Sequence, residues 1–258
     1  MFEQIIISLI SLLASTLTFF SGFGLGTILL PAMALFFPVA VAIILTGIVH
    51  FINGSFKVLL LWKHIHFPTL WRFGLLAIPS AFLGAWLLTS LEGQATTFEF
   101  VLAGKEFTTT PIKLTVGLLM ICFTIIEGLP RLKNISIDQK YLPLGGMISG
   151  FFGGLTGHQG AFRSMFLIRA KLSKEQFIAT GSAFSFFVDL TRLSVYFKNI
   201  TKMNIESNYT ILILASVSAL AGVLIGNRLL KKVNMKFIRL VVAITILLLG
   251  VGLSIGII

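Results

Sequence analysis

Long apolar runs recur along the whole chain and are joined by short linkers. Of the 258 residues, 56% are hydrophobic and 11% are charged, whereas a soluble domain is usually about 25% charged. Apolar runs of about 20 residues are typical of transmembrane helices. The sequence therefore predicts an all-α polytopic membrane protein that forms a single domain over residues 1–258. The hydrophobic units are 3–37, 40–62, 71–91, 111–128, 141–170, 175–197, 209–228 and 237–257.

Glycine-rich segments interrupt two of these units. Residues 21–26 read Ser-Gly-Phe-Gly-Leu-Gly, and residues 153–160 read Gly-Gly-Leu-Thr-Gly-His-Gln-Gly. Unwound backbone at membrane depth is tolerated only where protein buries it or where it lines a water-filled cavity. Paired interruptions in the two halves of a chain indicate the substrate site of a secondary transporter. We therefore expect the two breaks to contribute to one functional site.

The two halves of the chain share short matching segments in the same order. This pattern predicts an internal duplication, with repeat 1 over about residues 1–128 and repeat 2 over about residues 141–258. At an offset of 134, Gly26 matches Gly160 and Thr46-Gly47 matches Thr180-Gly181; at an offset of 138, Ser80, Ala81 and Gly84 match Ser218, Ala219 and Gly222.

The distribution of basic residues favours one topology for the two broken units. If both cross the membrane, the linkers carry seven Lys and Arg residues on one side and nine on the other. If both are re-entrant hairpins, the counts become thirteen and three, which the positive-inside rule prefers. Each repeat then holds a hairpin and three transmembrane helices, so the two repeats are inverted. The thirteen are Lys63, Arg72, Arg131, Lys133, Lys140, Arg169, Lys171, Lys174, Arg228, Lys231, Lys232, Lys236 and Arg239, and the three are Lys105, Lys198 and Lys202.

In the hairpin topology, the second arms begin near the membrane midplane at about Gly26 and Gly160. A helix N-terminus presents unpaired N–H groups and a partial positive charge, so two such ends in one place predict an anion site. Whether the long first arms cross the bilayer is left open. The candidate substrate-binding residues are Ser21, Gly22, Gly24, Gly26, Thr27, Asn53, Thr156, Gly157, His158, Gln159, Gly160 and Arg163.

Several polar residues inside apolar units carry both a functional and a structural interpretation. His158 is predicted to donate to an anion or carry a proton, or to bond to nearby backbone. An intramembrane arginine such as Arg163 faces a cavity or partner, or extends towards the interface. Asp189 and Arg192, spaced i and i+3, are candidates for proton transfer or gating, or form a local structural pair.

Another polar set lies on the second hydrophobic unit. His50, Asn53 and Lys57 follow at i, i+3 and i+7, and therefore share a helix face that we expect to look into the bundle. Asn53 is a candidate contact for the substrate, and Lys57 either lines the same face or reaches the cytoplasmic interface. His50 is a further candidate proton carrier.

Other classes of function leave no signature in the sequence. The net charge of +11 is explained by positive-inside bias, and no motif predicts a nucleic-acid partner. The single cysteine, Cys122, has no metal-ligand cluster around it, and we expect neither a metal nor a cofactor. The expected partners are a small anion and the lipid bilayer, and a homo-oligomer is compatible with the sequence.

The glycine-rich motifs resemble those of the TauE/SafE family of membrane permeases, often called sulfite exporters. The resemblance rests on Ser-Gly-Phe-Gly-Leu-Gly-Thr-Ile-Leu-Leu-Pro at 21–31, on residues 150–160 and on Ala-Thr-Gly-Ser at 179–182. It implies transport of small sulfur-containing or organic anions across the bacterial cytoplasmic membrane by a multi-pass protein. The family typically has a glycine triplet and a proline-containing helix in the second half, where this chain has residues 157–160 and Met165.

We therefore predict a secondary transporter that moves a small anion through a midplane site between the two breaks. An anion channel built on the same helix ends is the first alternative. An integral membrane enzyme is less favoured, because no motif such as H-E-x-x-H is present.

Overall fold

The computed structural model describes residues 2–21, 24–92, 94, 96–102, 104–128, 137–168, 170–200, 208–229 and 235–257. Helices dominate this part of the chain. Two short 3₁₀-helices, Trp62–His64 and Gln139–Tyr141, precede longer α-helices. The α-helices are α1 Phe2–Ser21, α2 Leu25–Ala34, α3 Val39–Leu61, α4 Phe67–Gly74, α5 Ala77–Glu92, α6 Pro111–Gly128, α7 Leu142–Thr156, α8 Gly160–Leu167, α9 Lys174–Ile200, α10 Tyr209–Leu229 and α11 Met235–Ser254.

The predicted unit 71–91 is a bent pair of helices rather than one helix. The axes of α4 and α5 differ by 43°, and the chain turns at Leu75 and Leu76. Pro79 lies one turn further on and has no N–H to donate to the carbonyl of Leu75, which its ring also crowds. Pro79 therefore explains the bend at Leu75 and Leu76, one turn earlier in the chain.

A small antiparallel sheet departs from the all-α prediction. Strands β1 Phe98–Leu102 and β2 Lys105–Thr109 pair in the linker between the predicted apolar units 71–91 and 111–128. The turn contains Gly104 at a φ of 76°, a conformation that glycine adopts readily. Phe100 stacks on Phe107 across the strands, with ring centroids 5.8 Å apart. The alternating aromatic residues around Gly104 are the sequence signal that would have predicted this hairpin.

Two described helices are long and apolar enough to cross a membrane by themselves. They are Val39–His64, which is α3 with its 3₁₀ extension, and Tyr209–Gly226 within α10. The bent pair of α4 and α5 adds a third if it is taken as one span. Many of the exposed side chains are large and apolar, among them Leu59, Trp71, Val217 and Leu248. With the polar side chains buried inside, this arrangement is that of a protein with lipid around it.

Helix α9 starts at a capping box. The Gln176 backbone N–H donates to the Ser173 hydroxyl oxygen at 3.2 Å, and the Ser173 N–H donates to the Gln176 side-chain oxygen at 3.0 Å. These two bonds satisfy N–H groups that a helix start otherwise leaves unpaired. From this start, α9 runs for 27 residues and carries several polar side chains into the protein interior.

Helices α7 and α8 form a hairpin whose two ends meet. The Ile137 N–H, just before α7, donates to the carbonyl of Met165 near the end of α8 at 3.4 Å. Gly145 also lies against the ring of Phe166. Gly157, at a φ of 84°, terminates α7 in the left-handed conformation common at helix C-termini. The chain therefore returns to the level at which α7 began.

Packing between the two halves follows a reciprocal pattern. The long arm α1 packs on α10, and the long arm α7 packs on α5; α3 packs on α9, and α6 packs on α11. Glycines allow close approach at both long-arm contacts: a Cβ on Gly84 would lie 2.1 Å from the Phe151 carbonyl oxygen, and one on Gly222 would lie 2.5 Å from that of Leu12. Gly84 and Gly222 are matched positions of the predicted repeats, and each contacts the long arm of the other half.

Candidate functional site

A polar cavity of about 50 Å³ lies where α1, α2, α3, α8 and α9 meet. A buried water needs roughly 10–15 Å³ measured in this way, so the cavity has room for a few waters or one small ion. It receives side chains from both halves of the chain. The lining residues are Thr18, Gly24, Leu25, His50, Asn53, Gly54, Lys57, Arg163, Phe177, Ile178, Gly181, Ser182 and Ser185.

Arg163 brings a guanidinium to the cavity from the first turn of α8. The Nη1 of Arg163 donates to the carbonyl of Gly181 at 3.0 Å and also to the hydroxyl of Ser185. Gly181 has no side chain, and a Cβ there would lie 3.2 Å from the Arg163 Nε. That Nε is buried and has no hydrogen-bond partner among the residues that the structure describes. Arg163 is therefore held in place by α9 and retains hydrogen-bonding capacity.

Helix α3 contributes the buried face predicted from its sequence. His50, Asn53 and Lys57 are all buried and all line the cavity. The Asn53 amide nitrogen donates to the Ser15 hydroxyl at 2.7 Å and to the Ala219 carbonyl at 3.1 Å. These bonds join α3 to α1 and α10 and hold this face of α3 in a defined rotation.

A buried ion-pair cluster joins α3 to α9 beside the cavity. His50 Nδ1 lies 2.5 Å from Asp189 Oδ2, and Arg192 Nε donates to Asp189 Oδ1 at 2.9 Å. Asp189 is 0% exposed and Arg192 is 1% exposed. Removing one partner from such a buried cluster is costly, because it leaves an uncompensated charge. The predicted local pairing of Asp189 with Arg192 is present, and His50 completes it from the other half of the chain.

The two helix breaks touch each other next to this cluster. A Cβ on Gly26 would lie 3.6 Å from the carbonyl oxygen of Gly157 and 3.9 Å from the His50 ring. Helix α2 begins after Gly24, which lines the cavity, and α8 begins at Gly160. The start of α2 therefore faces the cavity, and the break before α8 packs against the first turn of α2.

The remaining predicted site residues lie around the breaks. His158 Nδ1 lies 3.0 Å from the Thr156 hydroxyl, and the His158 ring stacks on Phe123. The side chain of Gln159 is buried.

Three residues of the predicted set, Gly24, Asn53 and Arg163, line the cavity. The other described members of the set do not line it: Gly26, Thr27, Thr156, Gly157, His158, Gln159 and Gly160. Gly22 and the side chain of Ser21 lie outside the described part, as do the basic residues Arg131, Lys133, Arg169, Lys202, Lys231 and Lys232 of the topology count.

The whole-chain comparison supplies the family. The model of the sulfite exporter family TauE/SafE matches residues 7–253. The chain belongs to the TauE/SafE family. Neither a curated protein nor a solved structure matches it. Membership implies a membrane transporter of sulfite or related anions, and together with the apolar helices it points to a multi-pass membrane protein.

Several buried polar atoms of this TauE/SafE protein have no hydrogen-bond partner within the described ranges. Native proteins satisfy most such groups, and each exception requires a ligand, a water or a functional reason. Those near the two breaks are the Thr27 and Thr46 hydroxyls, His158 Nε2, the Gln159 amide, Arg163 Nε and Arg192 Nη1.

Sequence reasoning missed part of the cavity. Ser182 and Ser185 line it one turn apart on α9, near Gly181. Ser182, Ser185 and Asp189 follow at i, i+3 and i+7, so they share one helix face, and this spacing could have predicted both serines from the sequence. The pairing of His50 with Asp189 was missed for a different reason, since 139 residues separate them. No group of three His, Cys, Asp or Glu side chains suited to a metal occurs within the described ranges.

Proposed function

We propose that this TauE/SafE protein is a secondary transporter that binds a small anion in the cavity between α3, α8 and α9. The substrate class is sulfite or another small sulfur-containing or organic anion, and the location is the bacterial cytoplasmic membrane. The observation that carries the proposal is the lining of the cavity. Lys57 and Arg163 bring basic groups from opposite halves, and the lining, as far as it is described, holds no carboxylate.

The donors in the cavity suit an oxyanion. A guanidinium forms short, strong, directional bonds to oxyanions, and Arg163 Nε is available in the buried wall. The hydroxyl of Ser182 lines the same space and offers a further donor, whereas the donor hydrogens of Asn53 and Ser185 are already bonded to protein acceptors. A volume of about 50 Å³ favours an ion with a few oxygens over a large organic anion.

The helix ends support the proposal without requiring a charged side chain. Gly24 places the N-terminal end of α2 at the cavity wall, where unpaired N–H groups favour an anion. We propose that Gly24, Gly26 and Thr27 act from this side and Thr156 to Gly160 from the other. Together with Ser21, Gly22, Asn53 and Arg163, these residues are the predicted substrate-binding set.

We also propose that the two halves are inverted repeats with re-entrant hairpins. The reciprocal packing of α1 on α10 and α7 on α5 supports this arrangement, as does the hydrogen bond between Ile137 and Met165. Transport then proceeds by rocking of the repeats around a site at their interface.

The test is ligand-induced thermal stabilisation of the purified protein. The panel contains sulfite, sulfate, thiosulfate, sulfoacetate, taurine, acetate and chloride at matched ionic strength. A ligand at 100 times its Kd stabilises by about 2.7 kcal/mol. We expect a selective shift with a small sulfur oxyanion. No shift with any anion, in protein shown to be folded, would contradict the proposal.

Transport is then measured in proteoliposomes with radiolabelled sulfite. Saturable flux without unitary currents is expected for a carrier. Single-channel currents in planar bilayers would instead support the alternative of an anion channel.

A further inference from the structure

We propose that His50 and Asp189 form the proton-carrying site of this transporter, and that a proton on His50 and an anion in the cavity bind together. The inference rests on the proposed anion transport and adds the ion to which it is coupled. It is carried by the geometry of the two residues relative to the cavity.

Asp189 orients the His50 ring. With Nδ1 only 2.5 Å from Asp189 Oδ2, that nitrogen donates its N–H to the carboxylate in either protonation state of the ring. Arg192 Nε donates to the second oxygen, Oδ1, at 2.9 Å. The carboxylate is thereby engaged on both oxygens and acts as a positioning residue for the imidazole. A bond to one ring nitrogen determines the role of the other nitrogen.

The other nitrogen of His50 faces the cavity. His50 is a lining residue, and its Nε2 is 3.9 Å from where a Cβ on Gly24 would lie. A proton arriving from the cavity therefore binds at Nε2, and the ring gains one positive charge while Nδ1 keeps its bond to Asp189. When the proton leaves, it returns from Nε2 to the cavity.

Charges from each neighbouring element explain why proton and anion bind together. Lys57 on α3 and Arg163 on α8 line the cavity, and Arg192 on α9 pairs with Asp189. Because the Asp189 carboxylate is shared between His50 and Arg192, a proton on His50 is attracted by Asp189 and repelled by the like charges of Lys57 and Arg163. A bound anion offsets that repulsion. By linkage, a proton on His50 increases anion affinity by the same factor as the anion increases proton affinity.

The other titratable groups near the cluster are placed differently. Tyr196 donates from its hydroxyl to the carbonyls of Gly154 and Leu155. His158 stacks on Phe123 and bonds with Thr156. Of the described histidines, His50 is the one in the cavity wall.

The test measures sulfite flux and proton flux in the same proteoliposomes, with radiolabelled sulfite and an internal pH dye. The variants are His50→Gln, which keeps a donor for Asp189, and Asp189→Asn. The control is His64→Gln, at an exposed position. Sulfite that is itself protonated carries the same number of protons per sulfite in every sample. A difference between variants in the number of protons transported per sulfite is therefore due to the protein.

We expect the control to match the wild type. His50→Gln should lose the protein-dependent proton flux. Its affinity for sulfite should then depend on pH only through the titration of sulfite itself. Asp189→Asn should alter the same ratio. An unchanged ratio in His50→Gln would overturn this inference while leaving anion transport intact. Absence of flux in the wild type for every anion of the panel would instead refute the proposed function on which it rests.

A measurement on the wild type alone covers the case in which the variants do not fold. Calorimetry of sulfite binding in two buffers of different ionisation enthalpy gives the number of protons taken up. Uptake beyond that of sulfite itself is expected, and its absence would overturn the proposal.

Discussion

The guanidinium of Arg192 lies directly against the backbone of Gly157, so that a Cβ on Gly157 would come within 2.7 Å of Arg192 Nη1. This contact connects the ion-pair cluster of α9 with the break between α7 and α8. A cation near the C-terminus of a helix interacts favourably with its dipole, and Arg192 is placed in this way relative to α7. The break and the cluster are therefore parts of one structure.

Gly157→Ala should destabilise the protein. The residue has a φ of 84°, which costs an L-residue about 1–2 kcal/mol, and the contact with Arg192 adds to this. Thermal unfolding in detergent measures the effect. The control is Gly74→Ala, where a Cβ would meet no atom of the described part of the chain within 4 Å. Equal unfolding temperatures for the two variants would contradict the prediction.

Arg163→Ala should weaken anion binding by about 10-fold or more, because a hydrogen bond to a charged group contributes about 1.5–3 kcal/mol. Arg163→Lys should recover only part of the affinity, since lysine lacks the planar fork. Titration of the thermal shift with sulfite gives the affinities. Arg72→Ala, at an exposed position on α4, is the matched control and should bind as the wild type does.

The hairpin topology predicts the labelling of single cysteines in a Cys122→Ala background. Cysteines at positions 140 and 171 should react from the same side of the membrane, because the ends of α7 and α8 meet at Ile137 and Met165. A cysteine at position 105, in the β-hairpin, should react from the other side. Labelling of positions 140 and 171 from opposite sides would refute the re-entrant hairpin.

Gly150→Ala should disrupt the packing of α7 on α5. A Cβ there would lie 2.4 Å from the Ala77 carbonyl oxygen, and both atoms belong to regular helices that have little room to shift. Overpacking of this kind costs about 1–3 kcal/mol. The unfolding temperature should fall, whereas Gly74→Ala again serves as the tolerated comparison.

Tyr196→Phe should lower the free energy of unfolding by about 1 kcal/mol, the usual contribution of one hydrogen bond. The hydroxyl donates to the Gly154 carbonyl at 2.5 Å, in the last turn of α7, where carbonyls lack helical partners. Tyr209→Phe removes a hydroxyl from an exposed tyrosine and should leave stability unchanged. The two variants are compared by chemical denaturation.

Much of the helical organisation could be predicted from the sequence. Helices end and begin within both predicted segments: α1 ends at Ser21 and α2 begins at Leu25, whereas α7 ends at Thr156 and α8 begins at Gly160. The starts and ends of α6 and α10 agree with the predicted units within a residue. Such features are local, because a run of apolar residues, a glycine cluster or a proline acts on the backbone around it.

The composition of the cavity could be predicted only in part. Asn53 and Arg163 stood out as polar residues in apolar helices, and both line it. The sequence allows Lys57 either to line this face or to reach the interface, and the structure places it in the cavity wall. Ser182 and Ser185 are too common in helices to attract notice by themselves. The β-hairpin at 98–109 lies in a linker between two apolar units, and the prediction from hydrophobic runs did not include it.

The sequence by itself determined that this chain is a helical membrane protein with two glycine breaks, since hydrophobicity, helix propensity and the freedom of glycine belong to short segments. Only the tertiary structure decided that His50 meets Asp189 and that Lys57 shares a cavity with Arg163. Those pairings depend on the rotation of each helix about its axis and on the register between helices. Rotation and register are set by close packing at glycines such as Gly84 and Gly222, and no single segment encodes them.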